Sequence, residues 1–237
     1  PPRQDYSQTI ELHRRLIREF PRYRLVDGAY YLLGFCLTEM GKLERGNEGF
    51  LSLVCSNRYR PPLTDAEPSA AAGPDAPDAS ADKKLASRMP ALTEDGRPVL
   101  KTTAYDGCVA LKKKSRFNPE AWIRIGEYHF DENQLGEAIA AYQKVLEYGP
   151  KDNTYYDSAL YKLAWTHYRA DRFMEAIKEF DRLVVFADKT EAETGKKATE
   201  MRPESIQYLG ISFAEEDWDG DTIPDPETGI QRIEKFY

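Results

Sequence analysis

Four aspartates crowd into residues 217–225, which read D-W-D-G-D-T-I-P-D. Asp217, Asp219, Asp221 and Asp225 fall at positions 1, 3, 5 and 9 of a loop. Calcium takes about six to eight oxygen ligands, and alternating carboxylates in a tight loop supply several, with a backbone carbonyl near position 7. Acids this close repel one another unless a cation or solvent relieves them. Gly220 lets the chain turn sharply and Pro224 stiffens the exit. Position 12 is Thr228 rather than an acid, with Glu227 beside it. The spacing points to Ca2+ held by Asp217, Asp219, Asp221 and Asp225. The alternative is a solvated acidic turn between two helices.

Histidine and cysteine are the other reactive types. His129 lies in G-E-Y-H-F-D-E-N, where acids and an imidazole sit together but point several ways on a helix. No H-E-x-x-H, nucleophile elbow, phosphate loop or dinucleotide fingerprint occurs, so catalysis is not expected. His129 and His167 are separated by 38 residues (167 − 129), which is the spacing of an internal repeat. Both are expected to pack between helices, as is His13. Cys55 and Cys108 flank a long Pro-, Ala- and Asp-rich stretch. They are expected to form a disulfide that closes it, leaving Cys36 as a buried thiol. Such a bridge contributes roughly 3–4 kcal/mol in the chain-entropy picture, and it requires an oxidising compartment. Three unrelated thiols are the alternative.

The elements that position these residues are written twice. Trp122, Ile125, Gly126 and His129 recur as Leu160, Leu163, Ala164 and His167, and Ala138, Tyr142 and Val145 recur as Ala176, Phe180 and Leu183. The first set falls at i, i+3, i+4 and i+7, one face of a helix. The second set forms another helical stripe. Small residues at Gly126 and Ala138 let two antiparallel helices approach, and Trp122 and Tyr142 fill the space beside them. Pro150 ends the second helix. A repeat period of about 20–50 residues marks a solenoid.

This pattern resembles the tetratricopeptide repeat, W-x2-L-G-x2-Y followed by A-x3-F and a proline. His129 stands where that family prefers Tyr. The resemblance implies an all-α, right-handed solenoid of helix-turn-helix units that binds a protein or peptide. It also implies that one face of each first helix lines a groove. Here that face carries Tyr31, Phe35, Thr38 and Glu39, then Glu120, Ile123, Glu127, Phe130 and Asp131, then Ser158, Tyr161, Trp165, Tyr168 and Arg169. The last set is Glu204, Gln207, Ile211, Ala214 and Glu215. The residues expected to bind a partner are Tyr31, Phe35, Ile123, Glu127, Phe130, Tyr161, Trp165, Tyr168 and Arg169. Aromatic anchors with acidic neighbours suit such a groove. Self-packing is an equal alternative for Tyr31 and Phe35. Binding is favoured for Trp165 and Tyr168, since nothing in the repeat demands large aromatics there. The acidic loop resembles the calcium loops of thrombospondin type-3 repeats, with Thr222 in place of a second glycine. The joints after Pro21 and Pro150 resemble those of periplasmic bacterial repeat proteins.

The expected organisation is a half-repeat plus one repeat over 1–59, an insertion and linker over 60–116, two well-matched repeats over 117–188, and a partial repeat with the acidic insertion over 189–237. Residues 60–101 lack the apolar surface to offset their ordering entropy and read as a surface insertion. Gly46 and Gly49 give the second helix near them a weak intrinsic propensity, so packing must hold it. A polar joint is expected after Phe186. In the last repeat Ile206, Leu209, Gly210 and Phe213 are the expected first-helix stripe, with Gly229, Ile233 and Phe236 on the second. The sequence opens in mid-repeat, so either the native protein is expected to extend further upstream or Pro1 is an artificial boundary; it also closes inside a repeat. With net charge −7 and 31% charged residues, nucleic acid is not an expected partner. No run reaches the ~18–20 apolar residues of a membrane span. The expected function is a protein-interaction scaffold in bacterial cell-envelope assembly, in the periplasm or at the outer membrane, with the cytoplasm as the alternative location. A calcium-regulated adaptor and the non-catalytic part of a larger enzyme are the rival functions.

Overall fold

The computed structural model describes residues 4–65, 99–151, 153–218, 220 and 223–237. Nine α-helices and no strands occur among them. They are α1 (Ser7–Glu19), α2 (Val26–Glu39), α3 (Leu43–Val54), α4 (Asn118–Asp131), α5 (Leu135–Leu146), α6 (Tyr156–Arg169), α7 (Phe173–Thr194), α8 (Arg202–Ala214) and α9 (Gly229–Phe236). The chain forms two compact units. One holds the described residues up to Leu100 together with 109–113, and the other holds 101–108 and everything from Lys114 onward.

Three hairpins, α2–α3, α4–α5 and α6–α7, turn by the same device. The second residue after each first helix is left-handed: Gly41 (φ 78°), Asn133 (φ 58°) and Asp171 (φ 54°). The next amide reaches back to a carbonyl five residues earlier, from Lys42 to Leu37 (2.9 Å), Gln134 to His129 (2.8 Å) and Arg172 to His167 (3.0 Å). This satisfies carbonyls that the helix end leaves open, and Gly, Asn and Asp bear the left-handed geometry at least cost.

In the first unit, Ile10, Ile17, Val26, Ala29, Leu33, Cys36 and Leu37 make the core between α1 and α2. Helices α2 and α3 touch backbone to backbone. A Cβ on Gly49 would sit 2.7 Å from the Gly34 Cα, so glycine here sets the helix separation and packing supplies what propensity lacks. The first residues of the expected insertion are docked. Arg14, 4% exposed, donates to the carbonyls of Pro62 and Thr64 (both 3.0 Å) and pairs with Asp65 (2.9 Å), which Lys42 also holds. The rest of the insertion, 66–98, lies outside the described residues. On its far side, the Leu111 amide donates to the Leu53 carbonyl (2.8 Å) and Lys112 pairs with Asp27 (2.8 Å).

In the second unit the expected stripes are buried: Trp122, Ile125, Ala138, Tyr142, Val145, Leu160, Leu163, Ala164, Ala176, Phe180 and Leu183. Successive helices from α4 to α9 pack in chain order. Three expectations need correction. Tyr105, within the presumed linker, is buried and its ring centroid lies 5.0 Å from that of Trp122. Helix α7 continues through the expected polar joint to Thr194, where Ala, Lys and Glu fill five of the eight positions 187–194, and it ends where Gly195 turns left-handed (φ 67°). In α8 the buried face is Ser205, Ser212 and Phe213, while Ile206 is 44% exposed and a Cβ on Gly210 would meet nothing within 4 Å. Helix α9 meets α8 near Phe213 and Ala214; the Phe213 and Phe236 rings lie 5.5 Å apart.

Candidate partner-binding groove

The groove is built where α4 and α6, first helices of adjacent repeats, run past the second helix α5. Gly126 on α4 admits the ring of Tyr142: a Cβ there would lie 2.3 Å from its Cε1. The close approach leaves a pocket of about 570 Å3 lined by Glu127, Phe130 and Asp131 from α4, Tyr142 from α5, and Tyr161, Lys162 and Trp165 from α6. Pockets of about 300–1,000 Å3 suit small ligands or anchoring side chains.

Its polar wall is partly self-neutralised. Lys162 pairs with one oxygen of Glu127 (3.0 Å) and Arg124 with the other (3.1 Å). Arg169 lies over the Phe130 ring, 4.6 Å from its centroid, and donates to the Phe130 carbonyl (3.2 Å). Burial, reinforced by the charges of Glu127 and Asp131, pushes the Tyr142 phenol far up, so it stays protonated. Burial also raises Tyr161 to about 12, helped by its contact with Glu204.

Of the nine expected groove residues, Glu127, Phe130, Tyr161 and Trp165 line this pocket. Arg169 stands at its edge on Phe130. Ile123 does not belong to it. At 4% exposure it is core, turned inward by the pitch of α4. Tyr31 is likewise buried in the first unit, 5.7 Å from Phe50, with the half-buried Phe35 beside it. The expectation that Trp165 and Tyr168 have no packing duty also fails. Tyr208 of α8 reaches both, at 4.2 Å from Trp165 and 5.9 Å from Tyr168, and Phe180 closes the cluster. Tyr168 also donates to Glu215 (2.8 Å), the contact that chiefly lifts its phenol to about 12. Trp165 thus packs against α8 and lines the pocket. Lys162 was missed, since only the pairing of α6 with α4 brings it to Glu127.

His129 and His167 are buried between helices. His129 Nε2 meets the Tyr105 hydroxyl (2.6 Å) and Nδ1 meets Gln134 (2.5 Å). Burial lowers its pKa. Among the described residues His167 has no counterpart to Tyr105; its Nδ1 is buried without a hydrogen bond and burial lowers its pKa to about 4. His13 is half-buried on α1, and burial lowers its pKa too.

In the acidic loop, Asp225 accepts the Trp218 amide (3.0 Å) and faces Arg232 at 3.7 Å, and Asp217 accepts the Gly220 amide (3.0 Å). Arg232, 2% exposed, also donates to the carbonyls of Phe213 (3.1 Å) and Glu215 at the end of α8. A protein cation therefore already balances part of the motif. Asp219 and Asp221 lie outside the described residues, and no cluster of three or more metal-ligating side chains occurs among those described. Cys55 and Cys108 are in disulfide linkage, and Cys36 is a buried free thiol. No described helix is long and apolar enough to cross a membrane.

Comparison with known families matches residues 119–152 and 158–185, each to a family model described as Tetratricopeptide repeat. These segments coincide with α4–α5 and most of α6–α7, which include the three helices that line the pocket. Searches of curated proteins and of solved structures found no match.

Proposed function

We propose that this chain is a protein-interaction scaffold that takes a segment of a protein partner in the pocket between α4, α5 and α6. Tetratricopeptide repeats generally mediate protein–protein contacts, and two such repeats meet at this pocket. The observation that carries the proposal is its lining. Four aromatic side chains and two carboxylates converge on about 570 Å3, and aromatic anchors dominate interface energetics. The setting we propose is bacterial cell-envelope assembly. Its support is the resemblance of the helix joints to periplasmic repeat proteins and the disulfide linkage of Cys55 and Cys108, which suits an oxidising compartment.

The test is capture from envelope extract by the wild-type chain and by Phe130→Ala. Phe130 is half-buried on the pocket wall, so its loss spares the inner core. The proposal expects a defined protein retained by the wild type and lost by the variant at unchanged helical content. Equal retention by both would overturn it.

A further inference from the structure

We propose that this pocket is a receptor for an arginine side chain of the partner, an inference that rests on the scaffold reading above. The rings of Phe130, Tyr142, Tyr161 and Trp165 line the same space, and Arg169 already covers one face of Phe130. Ring faces carry negative electrostatic potential and attract a cation placed over them, a guanidinium more often than an ammonium. Lys162 and Arg124 offset Glu127, which leaves Asp131 as the carboxylate of the lining without an ion pair among the described residues.

Two groups on this wall have no hydrogen-bonding or ionic partner among the described residues. Both oxygens of Glu127 are engaged, by Lys162 and Arg124, but Asp131 has no ion pair. The Tyr142 hydroxyl makes no hydrogen bond among the described residues, and its oxygen feels the charges of Glu127 and Asp131. An apolar occupant would dry these groups without pairing them, which costs free energy. An acidic occupant would meet Asp131 and the negative ring faces. A guanidinium stacks on rings through its plane and still offers five donors, so one side chain can reach Asp131 and the Tyr142 oxygen together. The chain supplies its own precedent on the same wall, where Arg169 covers Phe130 at 4.6 Å.

The experiment uses the full chain and four five-residue peptides, acetylated and amidated, that differ only at a central Arg, citrulline, Lys or Glu within alanines. The readout is the NMR signal of the Trp165 indole N–H, assigned with Trp165→Phe, together with calorimetry. The arginine peptide should shift that signal saturably. Citrulline, equal in shape and neutral, should bind about tenfold more weakly, as a lost cation–ring contact of about 1–2 kcal/mol implies. Asp131→Asn should weaken the arginine peptide severalfold and leave the citrulline peptide unchanged. Tyr142→Phe keeps the ring over Gly126, removes the oxygen, and should weaken both. Equal binding of citrulline and arginine, or no saturable shift with arginine, overturns the inference. Tighter binding of glutamate at the same signal also overturns it, yet leaves the scaffold reading standing. That reading fails separately, through equal partner capture by Phe130→Ala.

Discussion

His129 and His167 occupy equivalent places in the repeat, but among the described residues the His129 ring is hydrogen-bonded while the His167 Nδ1 is buried without a hydrogen bond, and this difference gives a pH prediction. Burial holds His167 near a pKa of about 4, against 6.5 for the ordinary group. The folded state therefore binds fewer protons than the unfolded chain between these values. Its stability is fully present above pH 6.5 and is lost as pH falls toward 4, below which both states are protonated and the loss stops growing. At about 1.4 kcal/mol per pKa unit, the whole window is worth about 3 kcal/mol, most of it gone by pH 4.5. His167→Phe fills a similar volume and carries no proton. Urea unfolding of the second unit, followed by NMR or by hydrogen exchange at pH 7.5 and 4.5, should show the variant losing roughly 2–3 kcal/mol less than wild type over this interval. At pH 7.5 the two should be close, because phenylalanine also removes a buried nitrogen that has no partner. An NMR titration that placed His167 at pH 6 or above, or an unchanged pH dependence in the variant, would refute the reasoning.

Gly126→Ala should destabilise the second unit by about 1–3 kcal/mol, since the added methyl would sit 2.3 Å from the Tyr142 ring and overpacking outweighs the gain in helix propensity; thermal unfolding by circular dichroism measures it. Peptide mapping without reductant should find one alkylatable thiol, at Cys36, and a peptide joining Cys55 to Cys108; three free thiols would contradict this. Calcium binding by Asp217, Asp219, Asp221 and Asp225 should give heat in calorimetry and raise the melting temperature. With Arg232 already facing Asp225, the affinity should fall in the weak range of about 10⁻⁴–10⁻³ M. Asp219→Ala with Asp221→Ala should remove both effects, and no heat at millimolar calcium would dismiss the site.

The repeat was legible because its information is local. Each helix carries its stripe at 3–4 residue spacing, and the left-handed corners at Asn133 and Asp171 sit at the same offset as the stripes. Gly126 announced the close approach that opens the pocket. What escaped detection depends on partners far along the chain. Tyr105 sits among turn residues with no periodicity around it, and only the fold brings it to Trp122 and His129. Trp165 looked free for binding because Tyr208 reaches it from the next repeat. Ile123 and Glu127 are four residues apart on α4, yet one is core and the other lines the pocket. A small rotation of a helix decides that, and sequence spacing does not resolve it. In α8, Ile206 and Gly210 fit the repeat pattern, but α9, which meets α8 near Phe213 and Ala214, leaves that face uncovered.

The most direct test of the interaction role places a photo-crosslinking phenylalanine analogue at position 130, on the pocket wall, and a control at Leu12, which is 64% exposed on α1. Irradiated in envelope extract, position 130 should crosslink to one discrete protein and Leu12 should not. Crosslinking of the same proteins from both positions, or none from position 130, would contradict partner binding at this pocket.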